Sequence, residues 1–346
     1  MCGERLGRVW QYLCPVGQAG CGVRWLGGGG RGGRLNGVVR EEIVAGHYRA
    51  LAVGVEIPLL GFGTYLIPDE QAADAVEAAI RAGYRHIDTA EAYGNERGVG
   101  EGIRRGLAAV GIGRDEIFVT TKLFPGMGGV FKSAREVETA FEASLSALGL
   151  EHVDLYLIHA PFTPEQRLEQ WGAVVGLHES GRARAVGVSN FNVRHIEELV
   201  AAGLPLPHAN QIELHPWSQK PEIVRFLEGN GIVPIAYSSL VPLSTWRAAP
   251  GHASGKTDEM RADGESGDSP FKAMAAKHGV SEAQVLLRWG VQSGYPVLPK
   301  STDPARIREN AEVFSFELDE DDMRVIAGLD RGAGVAWRTG DPVNNA

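Results

Sequence analysis

From residue 47 onward, short apolar runs rich in β-branched residues alternate with amphipathic stretches. This alternation most constrains what the chain can fold into. The runs lie at 57–62, 84–88, 117–121, 153–158, 184–188, 208–212, 232–236 and 296–298, eight in all. Strand then helix, repeated, places the strands parallel, because parallel neighbours need a crossover that a helix supplies. Short apolar runs suit strands buried on both faces. Between them, Val137, Phe141, Leu145 and Leu148 share one face of a helix over 135–148. Leu168, Trp171, Val175 and His178 form the stripe of a helix over 167–180, stopped by Gly181. Ala72, Val76, Ala79 and Ile80 form another, closed by Gly83. Ser281 with Gln284 reads as a capping box, and Asp303-Pro304 as a cap with proline in the first turn. Near-even spacing of the early strand ends favours a closed (β/α)8 TIM barrel with long loops at its C-terminal face. Ala50–Pro58 reads as a hairpin closing the barrel bottom, and 243–270 as an extended loop.

Residues 1–46 differ in composition. They hold 13 glycines, and six Arg with no Lys stand against three Glu, a local charge of +3. No apolar period persists there, so a disordered extension is expected, with 47–346 as a single barrel. An organelle-targeting segment is the alternative; the absence of Ser from 1–46 counts against it. Cys2, Cys14 and Cys21, the only cysteines, all lie in it. No disulfide framework or metal site is therefore expected, and a reducing, cytoplasmic compartment is. The net charge of −9 argues against a sequence-independent nucleic-acid binder. No apolar run of about 18 residues is present to span a membrane.

Several motifs fail. Gly61-Phe62-Gly63 lacks the third glycine of a dinucleotide fingerprint, which weakens the open-sheet alternative. No glycine precedes Lys132 as a P-loop requires, and Gly187-Val188-Ser189-Asn190-Phe191 lacks the closing glycine of a nucleophile elbow. Nucleotide hydrolysis and serine hydrolysis are thus disfavoured.

In a barrel, chemistry sits at the C-terminal ends of strands. Those ends carry Asp88 with Tyr93 five residues on, then Lys122, then His159. A free tyrosine has a pKa of about 10, too high to exchange protons readily near neutrality. A lysine ammonium beside it favours the phenolate and is expected to lower that value. Asp88 would hold the ammonium, and His159 would bind a substrate oxygen or tune Tyr93. Such a set suits carbonyl reduction, with Tyr93 protonating the oxygen as hydride reaches carbon. Singly, each residue also has a structural role: a helix cap, a surface charge, a packed ring. Lys300, Ser301 and Arg306 beside a helix start can hold a phosphate.

The chain resembles the aldo-keto reductase superfamily over roughly residues 50–335, near the aldose and keto-sugar reductases. The resemblance rests on Gly61-Phe62-Gly63-Thr64, His86-Ile87-Asp88-Thr89-Ala90, Tyr93-Gly94-Asn95-Glu96, Thr121-Lys122 and His159. It continues through Gly187-Val188-Ser189-Asn190-Phe191, Gln211 and Pro299-Lys300-Ser301, in the right order. It implies NADPH-dependent reduction of aldehydes or ketones without a Rossmann fold. Tyr93 would be the general acid, tuned by Lys122 and Asp88, and His159 would orient the carbonyl. Tyr237 would stack on the nicotinamide, and Ser189, Asn190 and Gln211 would hold its carboxamide. Gly63 and Thr64 would lie against the cofactor, and Ser238 and Leu240 beside its pyrophosphate. Lys300, Ser301 and Arg306 would clasp the 2′-phosphate, with Glu309 and Asn310 on the adenine.

Three positions depart from well-known members. Phe124 and Ala160 stand where Trp is common, and Tyr65 where some carry Trp. Together with Trp337, they are expected to line an altered or widened pocket for a small carbonyl compound. A monomer is expected. The alternative is an NADPH-binding regulatory subunit of a partner protein, with little turnover.

Overall fold

The computed structural model describes residues 47–243, 269–332, 334–337 and 340–345. The expected extension over 1–46 and nearly all of the 243–270 loop lie outside the described residues. The chain opens with a hairpin, β1 (Tyr48–Ala52) and β2 (Val55–Pro58). The parallel sheet then follows as β3 (Phe62–Gly63), β4 (His86–Asp88) and β5 (Phe118–Leu123). A two-residue-stranded hairpin, β6 (Gly126–Met127) and β7 (Val130–Phe131), extends from β5. The sheet continues with β8 (Val153–Ile158), β9 (Ala183–Ser189), β10 (Ala209–Glu213) and β11 (Val233–Tyr237).

The seven strands pair in the order β11-β10-β9-β8-β5-β4-β3, all parallel. The eighth apolar run does not form a full strand. Only Val297 bridges, to Leu60 on one side and Ala236 on the other. Backbone bonds complete the closure: Val297 donates to Leu59, Gly61 to Val297, Gly63 to Pro299 and Ala236 to Pro296, at 2.8–3.0 Å. The ring is therefore closed, as a (β/α)8 barrel requires.

The 57–62 run is divided, which corrects the expected single strand. Ile57 and Pro58 belong to the hairpin, and only Phe62 and Gly63 join the barrel. The hairpin is nevertheless the expected bottom plug. Leu51, Val55 and Ile57 pack with Phe118, Leu155, Ala185, Ala209 and Val233, the interior residues at the start of the strands. A larger apolar layer lies between sheet and helices.

The crossover helices bury the faces their periodicity marks. In α1 (Asp69–Arg81) Ala72, Val76, Ala79 and Ile80 are fully buried. α2 (Glu96–Val110) lies so close to its neighbours that a Cβ on Gly98 or Gly100 would strike the backbone of Asp69 or Leu148. α3 (Ala134–Leu148) starts from a Ser133–Glu136 capping box. In α4 (Arg167–Glu179) Trp171 and Val175 are buried, but Leu168 is 41% exposed, because the inward face is completed by Arg167, Gln170 and Val174. Next come α5 (Val193–Ala201), α6 (Pro221–Gly229) and α7 (Pro270–His278). α8 (Glu282–Gln292) opens on the Ser281–Gln284 box. α9 (Pro304–Ala311) is capped by Asp303, and α10 (Glu320–Ala327) follows. No described helix is long and apolar enough to cross a membrane.

The plug makes a test of the architecture. Ile57 is fully buried at the end opposite the strand C-termini. Ile57→Ala should lower unfolding free energy by about 3 kcal/mol, the usual cost of such a cavity. Urea denaturation reads this, and an unchanged midpoint would show that the hairpin contributes nothing.

Candidate active site at the barrel mouth

β4 and β5 pair in the register Asp88↔Thr120. Two residues further along β5, Lys122 points inward and is fully buried. Its Nζ donates to Asp88 Oδ1 at 2.6 Å, the Thr89 carbonyl at 2.8 Å and the Tyr93 hydroxyl oxygen at 3.4 Å. An ammonium has three hydrogens and no lone pair, so these bonds saturate it. Tyr93 must therefore accept in its bond with Lys122. Among the described residues nothing takes the phenolic hydrogen, which is left for the mouth. The second oxygen of Asp88 accepts from Gln211 Nε2 at 2.8 Å.

Burial pushes Asp88 up and Lys122 down, and each one's charge opposes the other's shift. Tyr93 is pushed well above its ordinary value by burial, then by the charge of Asp88 and by Tyr65. This overturns the expected lowering by Lys122. The nearby carboxylate cancels much of the lysine's field, and desolvation dominates. The phenol thus rests neutral and carries its proton.

Tyr93 sits in a short 3-10 turn, Glu91–Tyr93, held from both ends. Asn95, 1% exposed, donates to the carbonyls of Thr64 and Ile67 and accepts from Thr89, tying the loops after β3 and β4 together. Glu91 accepts from the Phe124 amide and from Lys132. His159 follows β8, its ring 5.5 Å from that of Tyr93 and edge-on. Burial, then the charge of Lys122, holds its pKa down to about 3, so it is neutral across the ordinary range. Its Nδ1 is buried without a partner. With the hydrogen on Nε2, that orphan is a lone pair, the less costly case, and the N–H is free for a ligand oxygen.

The polar residues after β9, β10 and β11 form one chain. Ser189 Oγ donates to the Gln211 carbonyl, and Asn190 Nδ2 donates to Ser189 Oγ and the His159 carbonyl. Asn190 Oδ1 accepts from the Tyr237 hydroxyl at 2.7 Å, which accepts from Trp337 Nε1 at 2.8 Å. Asn190 and Ser238 adopt left-handed backbone conformations, φ 63° and 57°, strained for non-glycine residues and concentrated here. Leu240 is half-buried beyond them. Gly63 and Thr64 are buried across the mouth, where Thr64 Oγ1 donates to the Asp88 carbonyl.

Around the opening, Tyr65 is 47% exposed with its ring 5.1 Å from Tyr93. Phe124 is half-buried, Ala160 is buried, and Trp337 lies 6.0 Å from the His159 ring and 5.6 Å from Phe162.

Lys300, Ser301 and Arg306 stand apart from these groups, at the start of α9. Lys300 is exposed and has no ion-pair partner among the described residues. Arg306 reaches Asp303 only at 3.9 Å. Glu309 is half-buried and Asn310 buried on the same helix. Sequence reasoning overlooked Asn95, Glu91 with Lys132, and Glu213. Their strings were visible, but they are tied to distant backbone groups: the Thr64 and Ile67 carbonyls, the Phe124 amide, and the Val335 and Ala336 amides.

A sequence profile of the Aldo/keto reductase family matches residues 59–331. The oxidoreductase YtbE of Bacillus subtilis is 40% identical over 284 residues, 82% of this chain and 92% of its own. The NAD(P)H-dependent D-xylose reductase I,II of Candida tropicalis is 36% identical over 304 residues, 81% and 91% of the two chains. Among solved structures, the Bombyx mori aldo-keto reductase in complex with NADP superposes with a TM-score of 0.72. It is 34% identical and is matched over 82% of this chain and 93% of its own.

The imidazole gives a direct test of the site's electrostatics. NMR titration of His159 should show no protonation until the pH nears 3, whereas the unfolded chain titrates near 6.5. Because the folded value is depressed, the stability His159 contributes is complete above pH 6.5 and falls on acidification toward 3. A His159 midpoint near 6 would contradict the buried, neutral assignment.

Proposed function

The chain belongs to the aldo/keto reductase family, and on that premise we propose that it reduces aldehydes or ketones to alcohols with NADPH. The observation that carries this reading is the unshared phenolic hydrogen of Tyr93, fixed by an ammonium that can only donate to the phenol oxygen.

The residues present fit the cofactor. Its anionic end needs free cations and backbone donors. Lys300 is unpaired among the described residues, Arg306 is weakly paired, and both flank the N-terminus of α9. The carboxamide end needs amide and hydroxyl groups, which Ser189, Asn190 and Gln211 supply on adjoining strand ends. Tyr237 would pack on the ring, with Gly63 and Thr64 on the opposite wall and Ser238 and Leu240 toward the pyrophosphate. Lys300, Ser301 and Arg306 would hold the 2′-phosphate, with Glu309 and Asn310 near the adenine.

Held by these residues, the cofactor would supply a hydride for the carbonyl carbon. His159 Nε2–H holds the carbonyl oxygen in place. As the C=O π bond opens, Tyr93 gives that oxygen its proton and becomes a phenolate. Lys122, whose Nζ lies 3.4 Å from the Tyr93 hydroxyl oxygen, stabilises the charge that forms there. Asp88 keeps Lys122 charged despite burial, and Gln211 keeps Asp88 oriented. Tyr65, Phe124, Ala160 and Trp337 shape an aromatic, mainly apolar pocket above these atoms. The lack of cysteines in 47–346 supports a cytoplasmic enzyme, and a monomer completes the reading.

Tyr93→Phe should fold and keep NADPH affinity while losing about 10²–10⁴ in turnover of an aldehyde panel. Unchanged turnover sinks the assignment, and NADPH binding by the wild type without turnover favours a cofactor-binding regulatory subunit instead. Lys300→Ala should weaken NADPH far more than NADH in fluorescence titration. An equal loss for both would refute the 2′-phosphate role.

A further inference from the structure

Glu213 ends β10 and pairs in register with Tyr237 of β11, yet its side chain reaches neither a mouth residue nor solvent. Its carboxylate is fully buried. Oε1 accepts from the Val335 amide at 2.7 Å, the Ala336 amide at 3.1 Å and His215 Nε2 at 2.8 Å. Oε2 accepts from the Ala336 amide at 3.0 Å. Burial alone would push this carboxyl up. The His215 bond, the charges of His215 and Lys220 and the Val335 amide outweigh it and hold the pKa below its ordinary value. A buried charge is retained only where such partners compensate its desolvation. Two of these partners, the Val335 and Ala336 amides, belong to one segment near the C-terminus.

That segment is pinned again nearby. Asp341 accepts from Lys220 at 2.7 Å and from the Gly334 amide at 3.2 Å. A side chain at Gly334 would collide with both the Glu213 and Asp341 carboxylates, so the approach requires glycine there. Directly after the Glu213-bound amides comes Trp337, whose indole stands beside His159 and bonds the Tyr237 hydroxyl.

We propose that Glu213 is a positioning residue for substrate choice: it anchors the 334–337 segment so that Trp337 forms a fixed wall facing Tyr93 and His159. Glu213 itself touches neither substrate nor cofactor. This rests on the carbonyl-reductase reading of the mouth. A wide aromatic carbonyl compound fills the space up to that wall and depends on it, whereas a short aliphatic aldehyde does not reach it. Glu213→Gln keeps the shape of the side chain, removes the charge and turns an amide hydrogen toward the Val335 or Ala336 N–H.

The test compares naphthaldehyde with propanal as substrates, using NADPH. E213Q should raise KM for naphthaldehyde about tenfold or more, the usual effect of losing a charged hydrogen-bond acceptor. KM and kcat for propanal, and NADPH affinity, should stay within about twofold. In a Trp337→Ala background, E213Q should add no further loss for naphthaldehyde, since both changes remove the same wall. Equal losses for both aldehydes, no loss for either, or full additivity would overturn the proposal. If E213Q does not fold, Asp341→Asn loosens the second anchor and must give the same size-dependent pattern. A wild type silent with both aldehydes counts against the reductase reading itself. Amide exchange at Val335 and Ala336 then decides the anchoring: lost protection in E213Q supports it, and retained protection overturns it.

Discussion

A fully buried lysine ammonium governs the mouth of this barrel. Removing such an ion from water costs several kcal/mol, so Lys122 is tolerated only if all three of its hydrogens find acceptors. Those acceptors come from the end of β4, from the following backbone and from the turn that carries Tyr93. The requirement fixes the register of β4 against β5 and the placement of the turn. It also makes the phenol oxygen an acceptor and leaves its hydrogen as a donor for the mouth, beside the Nε2–H of His159. Chemistry and folding therefore share one constraint.

The surrounding architecture protects that arrangement from two sides. Below, the hairpin plug fills the barrel interior with Leu51, Val55 and Ile57, so the polar mouth rests on a dry floor. Above, the segment around Trp337 is held by the carboxylates of Glu213 and Asp341 and by the packing of Val335 with Trp217 and Val241. A segment anchored by buried, charge-assisted hydrogen bonds is held in one position. This suits the wall proposed for Trp337, above a mouth that the hairpin plug supports independently.

The hydrogen-bonded chain from Trp337 through Tyr237 and Asn190 to Ser189 and the Gln211 carbonyl joins the residues proposed to face the substrate to those proposed to face the cofactor. Gln211 belongs to both: its carbonyl ends this chain, and its side-chain amide steadies Asp88. The polar groups of the mouth thus form a continuous network in which most members have two partners, which limits their freedom before any ligand arrives.

Much of this was legible in the sequence because it depends on local pattern. The alternation of apolar runs and helical stripes reflects burial at periods of 2 and 3.6, which neighbouring residues alone encode. The Ser281 and Asp303 caps act within one turn, and the strand-end positions of Asp88, Lys122 and His159 follow once the strands are placed. Only the tertiary structure decided the rest. The last run closes the barrel as a single bridge at Val297, flanked by backbone bonds from Pro296, Leu298 and Pro299 to the two edges it lies between, and those partners come from distant parts of the chain. Leu168 faces outward because Arg167 and Gln170 take the buried positions through partners from other segments. Tyr93 is raised, not lowered, because desolvation and Asp88 outweigh Lys122. Glu213 and the segment it holds lie about 120 residues apart in the chain, and no periodicity connects them. Local sequence determined which elements form and which side chains reach the mouth. Burial and long-range hydrogen bonding, which exist only once the chain has closed on itself, decided what those side chains are able to do.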